Sequence, residues 1–383
     1  MTIRAAVPAE VAARAGRVRL EATLQIPDRS RGSRLATHGA VSTALSLCSD
    51  RRVRELVDAA TPIGSGIGGT TFLLEVEGVP VFVKQVRLTD LERRPENLRS
   101  TANLFGLPVF CHVGLGTIGS PGFGAWRELA VHVMTTDWVI AGEFEGFPLM
   151  HHWRMLPDDG RPLPGELSDV DRAVAYWGGG PEVRRRIEAL ERSTASLVLF
   201  LEYVPQTLHD WLGDRTRAGD ESAERACALV EDELTAGVAF MNARGLLHLD
   251  VHFENVLTDG GRLYFADFGL AISSRFELAR DEVDFVDEHR DYDRAFTAMY
   301  LVNWLAVDRY GHGPDERRTF VRSCAQGERP AGVPSAVAAT LVRHAPVAAV
   351  MGDYSRRFQQ ESRVTPFPVE ALRRTRAFVE RVP

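Results

Sequence analysis

The sequence predicts an α+β fold in which sheet-forming segments come first along the chain and helices follow. Three observations predict this order: apolar segments flank a glycine cluster within 60–76, an unbroken apolar run occupies 197–201, and helical patterns dominate after residue 205. Buried strands read as continuous apolar runs, whereas helices repeat apolar residues every three or four positions. We therefore expect two lobes, the first built on a mostly antiparallel sheet and the second mainly helical.

The composition is that of an ordinary globular protein and narrows the classes of partner. The chain has 383 residues, 45% of them hydrophobic and 25% charged, and its formal net charge of -7 disfavours nucleic acid. Its four cysteines show no CxxC pairing, which predicts a reducing compartment and no zinc site. No apolar run approaches the ~18 residues that span a membrane, and the N-terminus lacks a signal-peptide pattern. We expect a cytoplasmic protein without nucleic-acid or membrane partners.

Residues 1–59 are predicted to form a partly helical N-terminal extension. Within 38–60, the residues Val53, Leu56 and Val57 make an apolar stripe at helical spacing, and Ser49 or Asp50 is suited to cap a helix there.

A glycine cluster between two strand-like segments is the first candidate binding element. Gly64, Gly66 and Gly69 fit the spacing G-x-G-x-x-G, with Ser65 between the first two, and Lys84 lies in the next strand-like run, 81–86. Glycines let a phosphate approach the backbone closely. A dinucleotide-binding fold would require a helix after the last glycine, but a strand is predicted here. The remaining alternative is a glycine-rich hairpin that binds no ligand.

Two polar segments interrupt this pattern and are predicted to be inserts, at 95–124 and 157–195. The second carries two helix-like pieces, 169–177 and 181–192. The apolar run at 197–201 is then broken at Glu202–Pro205, after which the helical half begins.

The stretch with the most chemistry follows the clearest helical pattern, 222–244. Asp250 precedes Asn255 by five positions, and Asp267 ends an apolar, strand-like run. Phosphoryl transfer needs one carboxylate to orient and deprotonate an acceptor hydroxyl, and an amide oxygen and a second carboxylate to hold Mg²⁺ on the nucleotide phosphates. Asp250, Asn255 and Asp267 supply these groups in that order.

These motifs resemble the protein-kinase-like superfamily, which includes protein kinases and antibiotic phosphotransferases. The chain has H-x-D-x-x-x-x-N at 248–255 and D-F-G at 267–269. The resemblance implies a first lobe at 60–204, a helical lobe at 205–383, and ATP or GTP with Mg²⁺ as cofactors. It also implies roles for a strand lysine, for the carboxylate that holds it and for residues at the break before the helical half.

In the resembled family, the strand lysine bridges the α- and β-phosphates and is held by a carboxylate from a helix. Lys84 is the counterpart, and Glu128, within a helical pattern at 125–134, is the first candidate for its partner; Glu96 is the second. The break between the lobes is where backbone groups near Glu202 and Val204 would pair with the base.

The departures from protein kinases favour a small acceptor, such as an antibiotic or a metabolite. Leu249 stands where protein kinases have arginine, His252 gives the D-x-H-x-x-N of aminoglycoside-type enzymes, and no A-P-E follows D-F-G. The intact D-F-G points the other way, so a Ser/Thr protein kinase and a non-catalytic nucleotide-binding module stay open. The sequence leaves the oligomeric state open as well.

Carboxylates are dense at 277–293, just after D-F-G. They predict either an acidic wall that attracts a cationic substrate or a solvated helix face whose charges are offset by neighbouring arginines.

Overall fold

The computed structural model describes residues 3–4, 28–66, 68–158, 160 and 162–379. Most of residues 1–27 of the predicted extension, Ile67 of the glycine cluster and residues 380–383 lie outside this description. The chain divides into two compact units. Unit 1 comprises Met1–Ser100, Gly124–Ala175 and Gly179–Tyr203, and unit 2 comprises Thr101–Phe123, Tyr176–Gly178 and Val204–Pro383.

Unit 1 contains an antiparallel sheet. Its strands are β1 Ile3–Arg4, β2 Thr61–Gly66, β3 Gly69–Val76, β4 Val79–Leu88, β5 Met150–Pro157 and β6 Ala195–Glu202. The order across the sheet is β1-β3-β4-β6-β5, and β2 also pairs with β3. Every one of these pairings is antiparallel, which confirms the type of sheet predicted for the first part of the chain.

Helices cover both faces of this sheet. The helices that begin in unit 1 are α1 Arg31–Ser46, α2 Asp50–Asp58, α3 Ala125–Ala141, α4 Gly165–Ser168, α5 Val170–Tyr176 and α6 Pro181–Glu191. In β6, Val198 and Phe200 pack in one cluster with residues of α1 and α2. Leu197 and Leu199 pack in a second cluster with residues of α3. Because side chains alternate along a strand, the unbroken apolar run of β6 is buried on both sides.

The N-terminal extension predicted over 1–59 is helical in much of its described part, 28–59, as α1 and α2, and these two helices pack on the sheet of unit 1. Val41 and Leu45 of α1 and Val53 and Leu56 of α2 are buried against the sheet and belong to the core of unit 1. The physical reason is that β6 is apolar on both faces, so one helix could not remove it from water. The predicted cap is confirmed: the Ser49 hydroxyl accepts a hydrogen bond from Arg52 N–H at the start of α2.

Unit 2 is mainly helical. Its helices are α7 Leu208–Arg217, α8 Asp220–Ala243, α9 Arg280–Glu288, α10 Tyr292–Tyr310, α11 Pro314–Ala325, α12 Ser335–Gln360 and α13 Val369–Val379. Its short strands are β7 Gln206–Thr207, β8 Leu246–Leu247, β9 Val256–Thr258, β10 Leu263–Phe265 and β11 Ile272–Ser273. They form a β10-β9-β7 sheet and a β11-β8 pair. The predicted helix 222–244 is confirmed as α8.

Most of the predicted insert 95–124 belongs to unit 2, although the segments on either side of it along the chain belong to unit 1. Residues 101–123 group with unit 2 rather than with the sheet that precedes them. Gly114 N–H donates to Leu249 O at 3.3 Å, and the buried His112 ring stacks on Phe123 with ring centroids 3.5 Å apart. His112 Nδ1 also lies 2.9 Å from Leu270 O. These contacts bind the segment to the residues that follow α8, a long-range partnership that no local pattern encodes.

One described helix, α12, is long and apolar enough to cross a membrane on length and composition alone. Leu341, Met351 and Phe358 on α12 are buried within unit 2, and buried core helices pass the same test. The four cysteines are buried and none forms a disulfide.

Candidate active site

The loop between β8 and β9 carries Asp250 and Asn255, which are locked together. Asn255 Nδ2 donates to Asp250 O at 3.0 Å and to Asp250 Oδ2 at 3.2 Å. The Asp250 side chain is 22% exposed, so its carboxylate reaches solvent from a fixed position. A carboxylate oriented in this way is suited to accept a proton from a bound hydroxyl.

A glycine leaves room for this carboxylate. A Cβ atom on Gly114 would lie 2.3 Å from Asp250 Oδ1, so any side chain at Gly114 would displace Asp250. On the other side, His252 Nε2 lies 3.8 Å from Asp250 Oδ2. Burial lowers the pKa of His252, so the ring is neutral at pH 7 and adds no cation next to Asp250.

The backbone before Asp250 is strained and is held by a residue that sequence reasoning missed. Leu249 has φ +66, in the left-handed region that a leucine rarely adopts, and its side chain is fully buried. The Asp293 carboxylate of α10 accepts His248 N–H at 2.7 Å and Leu249 N–H at 2.8 Å. Strain of this kind costs roughly 1–3 kcal/mol and persists only where its surroundings enforce it. Asp293 therefore sets the path by which the chain enters the loop.

Asn255 and Asp267 lie at the same end of a short antiparallel ladder. β9 and β10 pair Val256 with Phe265, and Ala266 N–H donates to Asn255 O at 2.9 Å. The residue before β9 and the residues after β10 are thus brought together. Asp267 has φ +60, and its Oδ1 accepts Gly269 N–H at 3.3 Å. A left-handed aspartate at the end of a strand turns the chain sharply and is typical of a functional position.

The His248 side chain contacts the residues at this end of the ladder. The ring is completely buried, and burial lowers its pKa to about 4, so it is neutral at pH 7. Its Nε2 lies 3.0 Å from Ala266 O, next to Asp267, and the ring packs against Phe268 with centroids 5.1 Å apart. A buried neutral ring that donates to a backbone carbonyl is a structural element and not a proton carrier.

The ligands expected for Mg²⁺ fit that ion chemically. Asn255 turns its amide nitrogen to Asp250, which leaves the amide oxygen as the acceptor end of the side chain. Mg²⁺ binds through one or two protein oxygens together with phosphates and waters, so an amide and the Asp267 carboxylate suffice. Within the described part of the chain, no group of three or more His, Cys, Asp or Glu side chains is arranged to hold a metal by itself.

In unit 1, the predicted lysine is engaged by one of its two candidate partners. Lys84 Nζ lies 2.7 Å from Glu128 Oε1, and both residues are buried, at 5% and 2% exposure. Glu96, the other candidate, is exposed in a 3₁₀ turn. Two charges are taken out of water only at a considerable cost, so loss of either partner would leave the other as an unpaired buried charge.

The helix that carries Glu128 is positioned by a second buried ion pair. Glu92 Oε1 accepts the N–H of Ala125, the first residue of α3, at 2.8 Å, and Glu92 O accepts Trp126 Nε1–H at 2.8 Å. Arg186 of α6 donates to Glu92 Oε2 at 2.9 Å. A carboxylate at a helix N-terminus satisfies a donor that the helix leaves unpaired and stabilises the helix dipole. Residues of the predicted second insert thus hold α3 in place.

The predicted glycine motif forms a hairpin between β2 and β3, in which Gly66 pairs with Gly69 and Ser65 with Thr70. Gly69 has a structural reason to be glycine: its φ is +130, and a Cβ atom would lie 2.3 Å from Gln85 O. Gly64 is also confined, since a Cβ atom there would lie 2.9 Å from Thr71 Oγ1. Gly66 has no such reason, because the described residues place no atom within 4 Å of where its Cβ atom would lie. Gly66, with Ser65 beside it, is therefore the part of the hairpin best suited to meet a ligand.

Of the two residues expected to pair with a nucleotide base, Glu202 already uses its N–H and its side chain in other contacts. Glu202 N–H donates to Leu149 O at 2.8 Å, so only the carbonyl of this residue could still pair with a base. The Glu202 side chain is held by Arg34 at 2.8 Å and Arg29 at 3.3 Å, and these ion pairs act to lower its pKa against the effect of burial. Val204 is buried at 6% exposure, in the loop before β7.

The acidic stretch after D-F-G is largely a solvated helix face. On α9 and just after it, Asp284 lies 3.6 Å from Arg280 and Asp287 lies 2.6 Å from Arg290, all of them with exposed side chains. Glu282 and Asp293 are exceptions, because both are fully buried: Glu282 accepts Ala279 N–H at the start of α9, and Asp293 holds the backbone at 248–249. Neighbouring arginines offset this part of the stretch.

A scan against protein-family models and a search of curated proteins both found no match to the chain. The resemblance therefore depends on the motifs and on the contacts described above.

Proposed function

We propose that the chain is a Mg²⁺-dependent phosphotransferase of the protein-kinase-like fold, which transfers the γ-phosphate of ATP or GTP to a hydroxyl group of a small molecule. The observation that carries the proposal is the lock between Asn255 and Asp250 at the end of the ladder that also presents Asp267. This arrangement supplies the base and both metal ligands that phosphoryl transfer requires.

Each residue has a role in this reaction. Asp250 would orient the acceptor hydroxyl and take its proton as the oxygen attacks the γ-phosphorus. Asn255 and Asp267 would hold Mg²⁺, which neutralises negative charge on the phosphates when it is bound. The Lys84 ammonium, held by Glu128 at 2.7 Å, would bind phosphate oxygens, and the backbone at Ser65 and Gly66 would cover them. The catalytic effect comes mainly from positioning and from charge stabilisation.

Two observations favour a small acceptor. Leu249 is fully buried where a regulated protein kinase has an arginine that pairs with a phosphorylated loop, so the chain has no such cation at this position. Residues 270–279 also lead directly from D-F-G through β11 into α9, with no A-P-E segment. In the resembled family, that segment is part of the platform that docks peptides.

A Ser/Thr protein kinase is the second candidate, and one observation favours it. The D-F-G motif is intact, and Phe268 is fully buried against the His248 ring. Many small-molecule kinases replace the Phe-Gly of this motif.

Transfer of radiolabelled phosphate from ATP separates these functions. We expect label on a member of a small-molecule hydroxyl panel, and we expect Asp250→Asn to lower turnover about 10²–10⁴-fold, the usual contribution of a positioned base. Glu254→Gln is a matched control, because it neutralises an exposed acid of the same loop. Label on casein or on the chain itself would favour the protein kinase. Nucleotide binding without transfer to any acceptor would leave only a silent nucleotide-binding module.

A further inference from the structure

Unit 2 contains a cavity of about 250 Å³ between α10, α11 and α12. Four arginines line it: Arg317, Arg318, Arg322 and Arg356. A single carboxylate, Asp353, lies among the lining residues. The whole chain carries a formal charge of -7, whereas arginines outnumber carboxylates among the residues that line this cavity.

Three of these arginines have one carboxylate partner each, and the fourth has none. Arg318 lies 2.6 Å from Asp315, Arg322 lies 3.1 Å from Asp353, and Arg356 lies 2.8 Å from Glu361. Arg317 is half-buried and has no carboxylate partner among the residues that the structure describes. A partly desolvated guanidinium without a counter-charge attracts an anion, and its planar donors match carboxylate and phosphate oxygens.

The cavity is connected to Asp250 through two short chains of contacts. Gln359 lines the cavity and donates to Leu115 O, and the neighbouring Gly114 lies against the Asp250 carboxylate. On the other wall, Met299 and Asn303 of α10 flank Tyr300, whose ring packs on Phe253 with centroids 4.8 Å apart. One cavity residue, Gln359, thus contacts the segment beside Asp250, and the helix that carries Met299 and Asn303 packs on the loop of Asp250 through Tyr300.

We propose that this cavity binds an anionic group, a phosphate or a carboxylate, of the same small molecule whose hydroxyl is presented to Asp250. The inference rests on the proposed function and narrows its substrate class to anionic hydroxyl compounds. A volume of about 250 Å³ is below that of a typical pocket for a drug-sized ligand, so it suits one charged group of a small metabolite. Arg317, whose charge no carboxylate of the described residues offsets, would disfavour a cationic aminosugar.

Binding tests the site without any catalysis. Isothermal titration of the full chain at constant ionic strength, with saturating Mg-ADP, would use glycerol 3-phosphate, glycerate and glycerol as probes. We expect the two anions to bind and the neutral probe not to bind. Arg317→Ala should weaken anion binding about ten-fold or more, because it removes a charge-assisted hydrogen-bond donor. Arg317→Lys keeps the charge without the planar fork and should give an intermediate loss.

Arg374→Ala is the matched control, since Arg374 is an exposed arginine of α13 outside the cavity with no carboxylate partner among the described residues. It should bind the anions like the wild type. The proposal is overturned if the wild type binds neither anion, or if Arg317→Ala and Arg374→Ala bind them equally well. The ratio of the two anion affinities tells whether a phosphate or a carboxylate is preferred.

Turnover separates this site from the proposed function. With an anionic acceptor, Arg317→Ala should raise the acceptor KM about ten-fold while kcat falls less than about three-fold. Transfer to acceptors with an unchanged KM in Arg317→Ala would remove the anion site and leave the phosphotransferase. Anion binding that depends on Arg317, in a protein that phosphorylates no acceptor, would keep the site and remove the proposed function.

Discussion

The side-chain amide of Asn255 holds both the carbonyl and the carboxylate of Asp250, at 3.0 and 3.2 Å. In the proposed reaction, one residue would therefore fix the base and also offer an oxygen to Mg²⁺. Asn255→Ala should lower kcat at least about 10²-fold, since misplacement of a reacting group by 1 Å can cost that much. Because the two residues act as a unit, the double variant with Asp250→Asn should be little slower than Asp250→Asn alone.

The measurement is kcat at saturating nucleotide and Mg²⁺ for both single variants and the double variant. Losses that multiply in the double variant would show that Asn255 and Asp250 act independently, contrary to the hydrogen bonds between them.

The glycine hairpin offers a matched pair of substitutions. Gly66→Ala adds a methyl group to open space, so the melting temperature should be unchanged while the nucleotide Kd rises, because the methyl group crowds the bound phosphates. Gly69→Ala places a Cβ atom 2.3 Å from Gln85 O at φ +130 and should cost about 1–3 kcal/mol of stability. Thermal melts and nucleotide titrations measure the two effects. Equal nucleotide binding by Gly66→Ala and the wild type would favour a hairpin that binds no ligand.

The Lys84–Glu128 pair can be tested for structural and functional roles separately. Lys84→Met leaves the buried Glu128 carboxylate without its cation and should cost about 3–5 kcal/mol of stability. The double variant Lys84→Met/Glu128→Leu removes both charges and should regain much of this stability. Neither variant should transfer phosphate. Urea unfolding and the transfer assay measure the two properties, and an active, restored double variant would show that the pair serves only the fold.

Buried histidines make stability depend on pH. Burial lowers the pKa of His151, His248 and His289 to about 4, against about 6.5 in the unfolded chain. The unfolded state therefore binds more protons between these values, and the free energy of unfolding should fall as the pH is lowered from 6.5 to 4. Burial raises the pKa of Asp293 to about 6, which opposes the trend because stability from this group falls as the pH rises from about 4 to 6.

The three histidines together change the free energy of unfolding by more than the one aspartate does. The protein should therefore be more stable at pH 7 than at pH 4.5. Urea unfolding at several pH values measures this difference. In His248→Gln, whose amide can still donate to Ala266 O, the difference should shrink by about 2–3 kcal/mol. Equal stability of the wild type at pH 4.5 and pH 7 would contradict burial of these rings in the neutral form.

Elements with a strong local pattern could be predicted from the sequence. The apolar run of β6, the stripe of α8 and the helix around Glu128 each follow from spacing alone, and the structure forms all three. The site motifs and their order along the chain could also be identified from the sequence, because each motif is a short local pattern. Their roles stay a prediction.

Features that depend on distant partners could not be predicted. Residues 101–123 have no periodic pattern, and their place beside Leu249 and Leu270 is decided by tertiary contacts. Asp293 was missed because an acid at the end of a carboxylate-rich stretch is expected to lie on the surface. One signal was present: the apolar Phe296 lies three positions after Asp293, so a helix face that buries Phe296 can bury the acid as well.

The salt bridge between Arg186 and Glu92 gives the segment 157–195 a consequence for engineering. In the sequence, this segment resembles a dispensable insert that could be removed to obtain a smaller protein. Removing it would strand the Glu92 carboxylate in an apolar interior, where it anchors the first turn of α3. A trimmed chain would thus keep every predicted functional residue and still lose the alignment of Glu128 with Lys84.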